Sequence, residues 1–283
     1  MLGRHIEFIK EREYVWNVSP STIRWYTNAL KWLDSEAPTQ EELTRLVLKM
    51  RERGLKATGC NAATRAINAY LHWASGVTGK CGGGCHHPHI KPMKEPEFVP
   101  SVFTDEQVKK LLNFRAHRFF ERRLHLLILI LLDTGCRISE ATGLKVADVD
   151  MDNLLLTLTG KGRKQRKVPI SLELRKALYR YLRDFEPKHL LLASRAGDEM
   201  GRGTALHDVK RLCSRLGFEP PARTLHAFRH TFATNYLRRG GGVFHLQRIL
   251  GHSSLEMSRR YSSLQVEDLQ RVHQQVSLLA SAA

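Results

Sequence analysis

The sequence predicts a mainly α-helical chain with a small antiparallel sheet, divided into an all-helical N-terminal domain and a mixed helix–strand C-terminal domain. Three observations predict this. Apolar residues recur at helical spacing through most of residues 1–80. A Gly- and Pro-rich stretch with Pro88, Pro92, Pro96 and Pro100 then interrupts the pattern. Beyond it, 149–159 and 167–170 read as strands joined by turns, set among further helical patterns. The length of 283 residues suits one large or two ordinary domains of ~100–200 residues. The expected domains are 1–80, a linker at 81–100, and 101–283.

In the first domain, Ser19-Pro20-Ser21-Thr22 is a helix start, with Pro fitting the first turn. Ile23, Tyr26, Leu30 and Leu33 follow at helical spacing. Thr39 with Glu42 makes a capping box ahead of Leu43, Leu46, Val47 and Met50, and Gly54 closes that helix. A third helix is expected from about Asn61 to Ala74, with Ala66, Ile67, Tyr70 and Leu71 inward.

In the second domain, Thr104 and Gln107 form another capping box before Val108, Leu111 and Leu112. Leu124 to Leu132 is apolar all round, as a helix through the centre of a core would be. Asp152-Asn153 turns the first strand, and 160–166 forms a basic loop to the next. Helices follow from Leu172 onward.

The chain carries 45 Lys plus Arg against 28 Asp plus Glu, a formal +17. Residues 1–100 hold 14 basic and 10 acidic residues and 101–283 hold 31 and 18, so the excess lies mainly in the second domain. Such an excess points to a polyanion, nucleic acid first and an anionic membrane surface second. No basic amphipathic helix with an exposed apolar face supports the membrane reading. The first ten residues lack the pattern of a secretory signal, and Leu124–Leu132 is far shorter than the ~20 residues of a membrane helix. The five cysteines, Cys60, Cys81, Cys85, Cys136 and Cys213, are too few and scattered for a disulfide framework, so a reducing, cytoplasmic setting is expected.

Three islands carry chemistry. Arg137 follows Thr134-Gly135-Cys136 directly after the buried helix, where backbone N–H groups and a guanidinium converge on an anion. The competing reading pairs Arg137 with Glu140 at i,i+3. Cys136 reads as a small packing residue. His226 and Arg229 share a helical face while Phe228 and Phe232 turn inward, an arrangement that suits an anion between two cations or a solvated basic face. Leu250-Gly251-His252-Ser253-Ser254 precedes Arg259-Arg260-Tyr261, and Ser253 with Glu256 makes a capping box. Together with the basic hairpin, these supply a nucleophile, a proton donor and cations to neutralise phosphorane oxygens, with no carboxylate cluster of metal-ligand spacing.

These residues resemble the tyrosine recombinase, or phage integrase, family. Thr-Gly-Cys-Arg-Ile-Ser-Glu matches its first box at Arg137, and Leu-His-Ala-Phe-Arg-His-Thr-Phe-Ala-Thr the second at His226 and Arg229. Leu-Gly-His-Ser-Ser matches at His252, Arg-Arg-Tyr-Ser-Ser-Leu at Tyr261, and Gly-Lys-Gly at Lys161. The match covers about 101–270 with order and spacing in agreement. The N-terminal helices are similar to the family's core-binding domain.

The resemblance implies a site-specific recombinase or integrase that cuts and rejoins double-stranded DNA at recombination sites through a 3′-phosphotyrosine. Tyr261 would attack, Arg137 and Arg229 would hold the non-bridging oxygens, and Lys161 would protonate the leaving 5′ oxygen. His226 would assist proton transfer, His252 would hydrogen-bond the phosphate, and Glu140 would support the site. Arg163, Lys164 and Arg166 on the hairpin would bind DNA. Bond energy is kept in the phosphotyrosine, so no nucleotide cofactor or metal is implied. The family assembles as a homotetramer on two duplexes, with a monomer expected free in solution and no membrane partner. Val266, Leu269, Val272, Val276 and Leu279 are spaced roughly as a tail helix, which would pack on its own domain or, as the resemblance implies, dock on a neighbouring protomer. The alternative function is a catalytically inactive, sequence-specific DNA-binding protein on the same fold. One departure from the family pattern is the linker, where Cys81, Cys85, His86 and His89, with His87, offer zinc ligands; a hinge is the competing reading.

Overall fold

A computed structural model describes residues 2–76, 87–96, 100–160, 162 and 164–251. The chain forms two compact units, Met1–Phe98 and Val99–Ala283.

The first unit holds α1 (Gly3–Lys10), α2 (Pro20–Leu30), α3 (Gln40–Glu52) and α4 (Ala57–Ala74). α1 runs into a π-helical turn, Glu11–Val15, that the apolar spacing does not announce. α4 begins four residues earlier than expected. The Ser19 side chain caps α2 through the Thr22 N–H, and Thr39 and Glu42 form the reciprocal box at α3. Phe8, Leu30, Leu43, Met50, Ile67 and Tyr70 are fully buried. Tyr70 donates its hydroxyl to the Glu36 carbonyl at 2.8 Å, so the core phenol is satisfied.

Part of the stretch expected as linker lies along this unit. Three side-chain amides each exchange two hydrogen bonds with its backbone. Asn61 pairs with Met93 (2.8 and 2.8 Å), Asn68 with Ile90 (2.8 and 2.9 Å), and Gln40 with His89 (3.1 and 3.2 Å). Ile90 is buried and Met93 packs against the same core. The amides stand in for a neighbouring strand and satisfy backbone groups that no regular element would.

The second unit holds α5 (Asp105–Leu112), α6 (Phe119–Thr134), α7 (Ile138–Thr142), α8 (Leu172–Phe185), α9 (Arg202–Arg215), α10 (Thr224–Arg238) and α11 (Val243–Leu250). Its sheet is β1 (Val149–Asp150), β2 (Leu155–Thr159) and β3 (Gln165–Pro169), antiparallel in that order. The first turn is held by Asp150, whose carboxylate accepts the Asn153 N–H at 2.9 Å. β3 begins at Gln165, two residues before the expected strand, so Arg166 belongs to the strand and not the loop. α6 runs through the core with Leu127, Ile128, Ile130 and Leu131 fully buried. It ends on Gly135 in the left-handed conformation (φ 61°). A Cβ there would collide with Phe232 and stand 2.9 Å from Leu250 Cδ2. That glycine is therefore required by conformation and by the approach of α10 and α11.

Candidate active site

Arg137 is the N-cap residue of α7, aimed by the rigid end of α6 two residues earlier. Glu140, one turn on, accepts the Arg137 backbone N–H at 2.8 Å and an Nη1 proton at 2.9 Å. The i,i+3 pair therefore exists, but it is not a surface pair: Glu140's side chain is 2% exposed while that of Arg137 stays 38% exposed. Glu140 also receives both Arg166 Nη groups, each at 2.8 Å. Burial pushes the Glu140 carboxyl up. The Arg166 hydrogen bonds, the Arg137 backbone bond, the Arg166 charge and the Arg137 side chain outweigh this and hold it at about 2.

Arg166 is thus placed differently from its expected role. Side chains alternate along a strand, and Arg166 shares the inward face of β3 with buried Val168, opposite Leu158. Its guanidinium is engaged by Glu140 and by the Ile249 carbonyl, to which Nε donates at 2.7 Å. Lys164 is exposed beside the hairpin turn, where its carbonyl accepts the Gly160 N–H at 2.8 Å.

Arg229 on α10 is buried, at 6% exposure. Its Nη1 donates to the Gly135 carbonyl at 3.0 Å and its Nη2 to the Leu250 carbonyl at 2.8 Å. Those carbonyls lie two residues before Arg137 and two before His252. Arg229 therefore joins the ends of α6 and α11 at the first box. One turn away, His226 is exposed and Phe228 is fully buried, as the helical face predicts. Although His226 is exposed as a residue, partial desolvation of its ring lowers its pKa, and Arg202, Arg223, Arg229 and Arg137 lower it further, which favours the neutral imidazole, the form able to accept a proton. Arg202, in the first turn of α9, and Arg223, three residues before His226, were missed in the sequence. The Gly201-to-helix start at Arg202 and the i,i+3 spacing of Arg223 and His226 are the signals that would have found them.

Residues 101–268 match the phage integrase family. The tyrosine recombinase XerA of Thermococcus kodakarensis is 32% identical over 270 residues, covering 92% of this chain and 91% of that protein. This chain belongs to the phage integrase family of tyrosine recombinases. Two solved structures share the fold. The Tn1549 transposon integrase in complex with transposon right end DNA has a TM-score of 0.75 at 21% identity, covering 97% of this chain and 98% of that one. A lambda integrase tetramer bound to a Holliday junction has a TM-score of 0.72 at 17% identity, covering 93% and 79%.

Of the residues expected from the family boxes, Arg137, Glu140, His226 and Arg229 are brought together. Lys161, Arg163, His252 and Tyr261 lie outside the described residues, as does the tail beyond Gly251. Cys136 is buried, and burial pushes its thiol up to about 11, against a weaker opposing hydrogen bond from Thr134, as befits a packing residue. Cys81, Cys85 and His86 also lie outside the described residues, and His89 is exposed with its backbone held by Gln40. Among the described residues no three His, Cys, Asp or Glu side chains are grouped to hold a metal ion. Among them, too, no helix is long and apolar enough to cross a membrane.

A cleft of about 550 Å³ opens beside Arg166, lined by Lys167, Tyr236, His245, Arg248 and Ile249 as well.

Proposed function

We propose that this recombinase cleaves double-stranded DNA at its recombination sites with Tyr261 as nucleophile. The observation that carries this reading is Arg229 bridging the Gly135 and Leu250 carbonyls, which sets its guanidinium beside the Arg137 turn next to His226, whose neutral form is favoured. The Tyr261 oxygen bonds to phosphorus as the bond to the 5′ oxygen breaks. His226 takes the phenolic proton and Lys161 gives one to the departing 5′ oxygen. Arg137 and Arg229 neutralise the non-bridging oxygens as charge develops on them, and His252 donates to the same phosphate. Glu140 holds Arg137. A 5′-hydroxyl of the partner strand then attacks the phosphotyrosine and reverses the proton transfers, so strands are rejoined without an external energy source. Lys164 and Arg163 contact DNA backbone near the cut. The working assembly is a homotetramer on two duplexes formed from free monomers, and the setting is cytoplasmic.

The test is a suicide DNA substrate whose cleaved strand cannot be rejoined. Wild-type protein is expected to form a covalent adduct. Tyr261→Phe should bind DNA with unchanged affinity and form none. An adduct with Tyr261→Phe would refute the assignment, and no adduct with either protein would favour a DNA-binding protein without cleavage.

A further inference from the structure

We infer that Arg166 is a positioning residue that ties the Arg137 turn, the base of the hairpin ahead of Lys161 and the end of α11 to one another, and that it is not a DNA-contacting cation. The inference rests on the recombinase reading above and goes beyond it in assigning how the catalytic groups are held together.

Four links converge on the Arg166–Glu140 pair. The first is direct: Glu140 fixes the backbone and side chain of Arg137 while both of its oxygens receive Arg166. The second runs to the hairpin. A Cβ at Gly160 would stand 3.3 Å from Glu140 Oε1 and 3.8 Å from Arg166 Nη1, so the base of the hairpin rests on the pair. Lys161 is the next residue in the chain. The third runs to α11, where Arg166 Nε holds the Ile249 carbonyl. The fourth is Gly251, which is left-handed (φ 65°) and whose Cβ would lie 3.1–3.3 Å from Arg166 Cδ, Nε and Cζ. His252 is the next residue. The two glycines that precede Lys161 and His252 in the sequence, Gly160 and Gly251, therefore both pack on this one ion pair.

The chemistry of the residue fits the task. A guanidinium presents N–H groups in a rigid plane, so it can bind a carboxylate with two and a carbonyl with a third. Lysine has the charge but not this fork. At 15% side-chain exposure, with three donors committed within the protein, Arg166 is set for internal geometry.

Arg166→Lys tests this with wild-type protein and Lys161→Ala for calibration. Site-specific binding should stay within about twofold, and in Arg166→Gln, which removes the charge, the slope of log affinity against log salt should not change. Single-turnover cleavage at saturating protein should fall about 10²-fold, the scale of a misplacement near 1 Å. A substrate with sulfur in place of the bridging 5′ oxygen supplies the decisive readout. Its leaving group is a thiolate, the conjugate base of a thiol with pKa ~8.5, and departs without a donated proton. It should restore Lys161→Ala, and it should recover at least about tenfold of the Arg166→Lys loss, because part of that loss is misplacement of Lys161. Merely destabilised protein would lose the same on both substrates.

A salt slope lowered by about one in Arg166→Gln, with cleavage by Arg166→Lys intact, would make Arg166 a phosphate contact and overturn the inference. Equal loss on both substrates would also overturn it. Should Arg166→Lys fail to fold, Gly160→Ala presses on the same pair from the hairpin side and must show the same recovery. Failure of wild-type protein to form an adduct sinks the recombinase reading itself, a result distinct from either.

Discussion

Glu140→Gln removes one charge from the centre of the site and keeps its shape. Folding holds this carboxyl at about 2 against its ordinary 4.5, with burial opposing and the Arg166 and Arg137 bonds prevailing. At about 1.36 kcal/mol per pKa unit, the ionised form favours the folded state by about 3 kcal/mol at pH 7. A depressed carboxyl stabilises fully above its unfolded value and loses that stabilisation as pH falls through the folded one. About 2 kcal/mol should remain at pH 3.5. Urea unfolding of both proteins at the two pH values is the assay, and the chain contains its own control. All four tryptophans, Trp16, Trp25, Trp32 and Trp73, lie in the helical unit, so fluorescence follows that unit alone. Circular dichroism adds the catalytic unit. The mutant should lose about 3 kcal/mol in the dichroism transition at pH 7, less at pH 3.5, and nothing in the fluorescence transition. A loss below about 1 kcal/mol at pH 7, or one that does not shrink with acid, would refute the reasoning.

Further outcomes follow from the same geometry. Gly135→Ala puts a methyl against Phe232 and Leu250 in a left-handed backbone, so it should cost more than about 2 kcal/mol and reduce cleavage more than DNA binding, read by unfolding and suicide-substrate assays. Asn61→Ala leaves the Met93 N–H and carbonyl without their amide partner, so the helical unit should lose about 2 kcal/mol in its fluorescence-monitored urea transition while the catalytic unit is unchanged.

Local chemistry was legible in the sequence wherever it was sufficient to specify structure. The capping boxes at Thr39 and Thr104 and the apolar α6 are short-range devices, and each stands as read. Arg137 carried two competing readings, and the fold shows the pair with Glu140 while leaving the Arg137 side chain 38% exposed. What was not legible depends on distant partners. Asn61, Asn68 and Gln40 look like ordinary helix-surface amides until backbone 22 to 49 residues away docks on them. Arg166 reads as one more cation of a basic loop, because its commitment to Glu140 and Ile249 requires the strand to start early and α11 to return beside it. The period-two alternation with Val168 was the available sign.

The bond from Arg229 to the end of α11 has a consequence for how often the site is ready. A free arginine side chain carries about 2 kcal/mol of rotamer entropy. Held between Gly135 and Leu250, Arg229 surrenders that freedom once, during folding, and not at each meeting with DNA. The arrangement makes an eight-residue helix, α11, the keeper of two guanidinium groups at once, since Arg166 holds the adjacent carbonyl at Ile249. Each time α11 frays, both arginines lose a bond together, Arg166 that to Ile249 and Arg229 that to Leu250, while Glu140 and Gly135 still hold the other side of each. The alignment of both guanidinium groups is therefore tied to local opening of α11 as well as to global unfolding.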